Sequence, residues 1–188
     1  MVEGFRSSHF GMTEAEVRQS IVRDFGIKPE TIQREVHPVE QTTILAATVK
    51  NLIPESGEAV VVYVLGYKSK KLTQVNVVWA RDAKAEAEIE KLKVVTLTLR
   101  NYFAARQYQP DSIVRDRALS DGGILVFRGA DEKGRVVTLV ARDLAPVESK
   151  GQAKGDAKTA VPRHPSVQIS YIEKPKAPDV YQIRKGDF

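Results

Sequence analysis

The chain has 188 residues, of which 42% are apolar, a formal net charge of +5 and no cysteine. That length and apolar share suit one globular body with a real core; the lack of cysteine excludes disulfides, thiolate metal sites, a cysteine nucleophile and a lipid-modified cysteine in this chain. No apolar run approaches the ~20 residues that a membrane-crossing helix needs, and the opening MVEGFRSSHF has neither the apolar centre of a signal peptide nor the amphipathic basic pattern of a transit peptide.

The first element to declare itself is a helix over residues 14–25. Thr13 and Glu16 form an S/T-x-x-E capping box, Met12 and Val17 flank it as a staple, and Gly26 can take the left-handed conformation that ends the helix. Val17, Ile21, Val22 and Phe25 share one face. Lys28, Pro29 and Glu30 can start a short further turn through Ile32, because proline is tolerated in a first turn.

After His37-Pro38 the period becomes extended. Residues 42–52, 59–66 and 72–79 read as three strands, separated by turns at Pro54-Glu55-Ser56-Gly57 and Tyr67-Lys68-Ser69-Lys70-Lys71. A second helix is expected from Asp82 to about Gln107, with Ala85, Ile89, Leu92, Thr96, Leu99 and Phe103 on one stripe. The β-branched stretch VVTLTL is its weakest point. Residues 112–119, 124–128 and 135–142 then read as strands, joined by turns at Asp121-Gly122-Gly123 and Asp131-Glu132-Lys133-Gly134. Residues 146–165 have the composition of a linker, and residues 167–172 read as one more strand.

These elements predict an α+β fold of two tandem helix-plus-three-strand units, forming an antiparallel sheet with the helices on one face. The units occupy residues 1–81 and 82–145, and residues 146–188 form a basic extension carrying the last strand. The long second helix is expected to organise one continuous sheet. Basicity belongs to the extension. Residues 149–188 hold eight basic residues (Lys150, Lys154, Lys158, Arg163, Lys174, Lys176, Arg184, Lys185) against four acidic ones, a net +4, which leaves +1 for the rest of the chain.

Catalytic patterns are missing. His9, His37 and His164 lie in unlike contexts without HExxH or His-x-His spacing, so no metal and no cofactor are expected. Asp111, Asp116, Asp121 and Asp131 sit near strands or turns without a pairing for acid–base work. There is no G-x-S-x-G elbow, and Gly122-Gly123 has no phosphate-loop context. Two clusters remain for binding. Tyr67, Lys68, Lys70 and Lys71 set a ring and three cations on one hairpin tip, suited to a phosphate or an acidic partner. Tyr63, Val75, Val77 and Trp79 are candidates for an apolar face opposite the helices, or for the core.

The GMTEAEVR stretch from Gly11 to Arg18, followed by a meander, resembles the β-lactamase-inhibitor-like module of small bacterial exported proteins. Residues 5–79, with VLGYKSKKLTQVNVVW from Val64 to Trp79, are similar to exported proteins of alphaproteobacteria. The resemblance implies a non-enzymatic protein of the periplasm or cell envelope that contacts another protein or an anionic surface, with a leader ahead of Val2. Two alternatives stand beside it: a nucleic-acid-binding saddle using the basic tail, and a small-ligand carrier or enzyme with a pocket between helix and sheet.

Overall fold

The computed structural model describes residues 1–81, 86–144 and 164–183. Helix α1 runs Glu14–Phe25. The Thr13 hydroxyl accepts from the Glu16 amide at 3.4 Å, and the Glu16 carboxylate accepts from the Thr13 amide at 2.7 Å, closing the capping box. Gly26 ends the helix at φ 62°, in the left-handed region. Helix α2 runs Glu86–Ala104, and the earlier part of the expected helix lies outside the described residues. The VVTLTL stretch stays helical, because Leu92, Val95, Leu99 and Phe103 form the stripe that is buried. Helix α2 stops three residues short of Gln107; Pro110 lies just beyond and disfavours helical backbone before it.

Ten strands accompany the helices among the described residues. A small N-terminal hairpin pairs β1 (Gly4–Phe5) with β2 (Ser8–His9). The main sheet holds β3 (Gln33–Val36), β4 (Thr43–Lys50), β5 (Glu58–Leu65), β6 (Leu72–Ala80), β7 (Val114–Ala118), β8 (Ile124–Ala130), β9 (Val136–Arg142) and β10 (Ser166–Ile172). Its order is β3-β4-β5-β6-β10-β9-β8-β7, with every neighbouring pair antiparallel. The fold is α+β and mostly sheet.

Two expectations are corrected. Each helix is followed by a one-turn 3-10 segment and four strands, not three. The strand missed in the first half, β3, is exposed at all four positions and so lacks the alternation by which a strand is recognised. The last strand is also no appendage: β10 lies at the centre, with all seven residues paired to β6 on one side and to β9 on the other.

One core lies between the helices and one face of this sheet. It joins Val17 and Ile21 of α1 and Leu92, Val95, Leu99 and Phe103 of α2 to Leu45, Val61, Tyr63, Val75, Val77, Trp79, Phe127, Leu139, Val167 and Ile169 of the strands. Ion pairs brace each helix to an edge strand with opposite polarity. Glu14 of α1 accepts from Arg34 of β3, while Arg100 of α2 donates to Asp116 of β7. Those edges carry charged side chains, and Asp116 turns to φ 50°, features that discourage further strand addition.

No described helix covers the other face of the sheet. At its centre Gln74 donates to Asn76 on β6, and Gln168 donates to Ser170 on β10, both at 2.9 Å. Val60, Val62, Val64 and Val78 lie beside this polar ladder, partly exposed.

Candidate functional site

The hairpin tip between β5 and β6 gathers Tyr67, Lys68 and Lys70 as their spacing predicts. Its backbone donors are already engaged by the C-terminal segment of the same chain. The Asp179 carboxylate accepts from the Lys68 amide at 2.9 Å and the Ser69 amide at 2.8 Å, and the Asp179 carbonyl accepts from the Tyr67 amide at 2.8 Å. Burial raises the Asp179 carboxyl, but these hydrogen bonds and the Lys68 charge outweigh it and hold the group below its ordinary value. The Lys70 ammonium sits 5.2 Å from the Tyr67 ring centre, and Tyr181 meets that ring edge-on. Lys71 leaves the tip to bridge Thr13.

Trp79 lies elsewhere. With Tyr63, Val75 and Val77 it faces the helices, and all four are at most 1% exposed. It forms part of the floor of a cleft between α2 and the N-terminal segment.

The cleft is built from three parts of the chain. Trp79 on β6, Ile169 and Tyr171 on β10 and Val137 on β9 give the floor. Leu99, Tyr102 and Phe103 of α2, with Arg106 just past its end, give one wall. The opposite wall is the N-terminal segment from Met1 to Arg6, with Leu52 and Ile53 behind it. Two compartments, of about 690 Å³ and about 270 Å³, share Phe5, Arg6, Tyr102, Phe103 and Tyr171. The larger is within the ~300–1,000 Å³ range of small-molecule sites.

Aromatic contacts set the shape. Phe103 meets Tyr171 at 6.3 Å between ring centres and stacks on Phe127 at 5.8 Å, while Phe5 lies 5.8 Å from Tyr171. Tyr108 packs against Phe127 at 5.3 Å, and Gly129 leaves room for its ring: a Cβ there would lie 2.6 Å from Tyr108 Cγ. Burial pushes the Tyr108 phenol up to about 12 and that of Tyr171 higher still, so both hydroxyls remain protonated donors across the neutral range.

The larger compartment is the more polar of the two, with Arg6, Arg106, Gln107, Tyr108 and Tyr171 in its lining. The Trp79 indole nitrogen is buried and makes no hydrogen bond. An indole N–H in that state forgoes a partner that buried donors nearly always find. The Arg106 guanidinium lies 4.4 Å from the Tyr102 ring centre, and the Arg6 guanidinium 4.9 Å from that of Phe25. Neither arginine is in an ion pair among the described residues, whereas Arg18, Arg34, Arg81, Arg100, Arg135 and Arg142 all are.

The N-terminal wall is firmly held. The Val2 amide donates to Asp131 Oδ2 at 2.9 Å, Ser7 donates to the Asp24 carboxylate through both amide and hydroxyl, and Ser8 is hydrogen-bonded to Ser20 of α1. Asp131 also accepts from the Arg135 guanidinium at 2.9 Å and from the amides of Lys133 and Arg135 at 3.0 Å. The turn carboxylate at position 131 is thus the clamp that fixes this wall.

His37 accepts from the Glu40 amide in a loop and the His164 amide donates to Asp143, both away from the cleft; no group of three His, Cys, Asp or Glu able to hold a metal occurs among the described residues. Lys150, Lys154, Lys158, Arg163, Arg184 and Lys185 of the basic extension lie outside the described residues. Among the described residues, no helix is long and apolar enough to cross a membrane. Comparison with protein-family models, with curated proteins and with solved structures finds no match.

Proposed function

We propose that this protein is a non-enzymatic binding protein whose cleft between α2 and the sheet takes a small ligand with an apolar body. The observation that carries this reading is the aromatic lining of two joined compartments, the smaller floored by Trp79, whose indole nitrogen is buried and unpartnered. Binding is favoured over catalysis because the described lining of both compartments holds no carboxylate and no imidazole to move a proton. The nucleic-acid reading is disfavoured by a near-neutral body, six of whose twelve arginines are in ion pairs.

Trp79 is the only tryptophan, which makes the test direct. Titration with 10-bromodecan-1-ol is expected to quench its fluorescence saturably, because a bromoalkyl chain in the cleft lies against the indole. A linear response with no saturation overturns the reading.

A second reading concerns the uncovered sheet face, where Val60, Val62, Val64 and Val78 surround the Gln74–Asn76 and Gln168–Ser170 ladder. These residues favour a protein partner. Residence in the cell envelope is carried only by the resemblances of Gly11 to Arg18 and of Phe5 to Trp79. The two halves are read as copies of one helix-plus-four-strand unit. Pro29-Glu30-Thr31-Ile32-Gln33-Arg34-Glu35 and Pro110-Asp111-Ser112-Ile113-Val114-Arg115-Asp116 align residue for residue and follow α1 and α2 in turn. In each, the third side chain donates back to a carbonyl three residues earlier at 2.7 Å, Thr31 to Lys28 and Ser112 to Gln109.

A further inference from the structure

The charge at the cleft points to a narrower ligand class, and this inference rests on the cleft being a binding site. We infer that the ligand is a single-chain amphiphile with a carboxylate head, its chain over Trp79 and its head at Arg106. The inner compartment is mostly apolar, bounded by Leu52, Ile53, Trp79, Leu99 and Ile169, with Thr98 and the shared Arg6, Tyr102 and Tyr171 as its polar groups. An unbranched aliphatic chain fits such a lining, since burial of apolar area is the main source of its affinity. The outer compartment changes character: Arg6 and Arg106 both border it, and Tyr108 and Tyr171 join them there.

Two guanidinium groups outside the ion pairs of the described residues border this opening, while Asp131 on the adjoining rim is already paired with Arg135, which leaves cationic donors there for an anion. Arg6 is the more constrained of the two, because it already donates to the Asp24 carbonyl at 2.9 Å and stacks on Phe25. Arg106 rests on Tyr102 alone and keeps its donors for a head group. The neutral phenols of Tyr108 and Tyr171 can donate to a carboxylate and repel no anion. A cationic head would meet two like charges, and an uncharged head would forgo the charge-assisted bonds.

Quenching of Trp79 by 12-bromododecanoate and by 12-bromododecan-1-ol, below their micelle concentrations at pH 8, separates these possibilities. The carboxylate is expected to bind about tenfold more tightly than the alcohol, the ratio for one charge-assisted contact near a surface. Arg106→Gln is expected to bring the carboxylate to the alcohol's affinity and leave the alcohol unchanged; Arg106→Lys is expected to restore part of the difference. Arg106 is exposed, and an unchanged thermal midpoint verifies that the variants fold. Equal affinity of the two probes in the unaltered protein overturns the head-group assignment while leaving the cleft in place. Equal loss of both probes in Arg106→Gln overturns it too. Saturation by neither probe means that the cleft reading itself has failed. Quenching by dodecanoyl chains only when they are presented in anionic vesicles also overturns the inference, since the ligand would then be a membrane surface.

Discussion

A chain ended after residue 163 is expected to lose its cooperative unfolding transition altogether. The residues removed include β10, which pairs with β6 along one edge and β9 along the other, seven residues to a side. Val167 and Ile169, both at most 2% exposed, leave the core with it, and Tyr171 leaves the cleft floor. Full burial of each such apolar side chain contributes about 1.5–3 kcal/mol. Two ladders of backbone hydrogen bonds break as well, exposing the inner edges of β6 and β9. Set against a total stability of about 5–15 kcal/mol for a typical domain, that loss removes the folded state. Far-ultraviolet circular dichroism through a urea titration checks it. Adding a synthetic peptide of residues 164–183 is expected to restore the transition, because the vacant slot between β6 and β9 accepts a strand in trans. A truncated chain that unfolds cooperatively by itself would show that β10 is dispensable.

Asp131→Ala is expected to lower stability by about 3–5 kcal/mol, the range found when one partner of a buried ion pair is removed. The carboxylate is 5% exposed and its partner Arg135 is 13% exposed. Its loss strands that guanidinium and releases the amides of Val2, Lys133 and Arg135 together. The pH dependence has a definite sign. Burial raises the Asp131 carboxyl, but the Val2 amide and Arg135 more than reverse this, so the folded protein holds it below its ordinary value. A carboxyl depressed by folding stabilises above its unfolded pKa, about 3.9, and that stability is lost as pH falls through the lower folded value. Urea midpoints of the unaltered protein should therefore fall below about pH 4 with a component missing from Asp131→Asn. A variant that loses less than about 1 kcal/mol would mean that solvent already weakens the clamp. The same variant should free the N-terminal wall, read as faster amide exchange at Val2 and Phe10.

Local signals read well from residues alone and distant pairings did not. The capping box at Thr13 and Glu16, the left-handed Gly26 and the strands β4 to β6 follow from short-range pattern. Each is set by neighbours within a turn or a hairpin. The place of β10 was hidden, because a strand's own alternation says nothing about which edges it joins, and a 23-residue gap separates it from β9. For Trp79 the alternation told which residues share a face, yet not which face the helices cover; the structure puts it on the covered one. The cleft had no compact signature, since Phe5, Trp79, Tyr102, Tyr108 and Tyr171 are dispersed along nearly the whole chain. One signal would have revealed the missed edge strand β3. The heptads starting at Pro29 and Pro110 match in residue type at six of seven positions, and each runs directly into β3 or β7.

Aromatic and cationic residues brought together from so many elements have a bland explanation, a core that closes imperfectly beside a surface helix. The two joined compartments, of about 690 Å³ and about 270 Å³ with Trp79 flooring the smaller, are what favour a ligand over that explanation. A titration with decanoate, followed by ¹H–¹⁵N correlation spectra, decides between them. The single indole N–H resonance, that of Trp79, is predicted to move saturably, while the side-chain amides of Gln74, Asn76 and Gln168 on the uncovered face stay fixed. An indole resonance that does not move, in a protein whose Gln74 and Asn76 amides do, would contradict the cleft and place binding on the opposite face of the sheet.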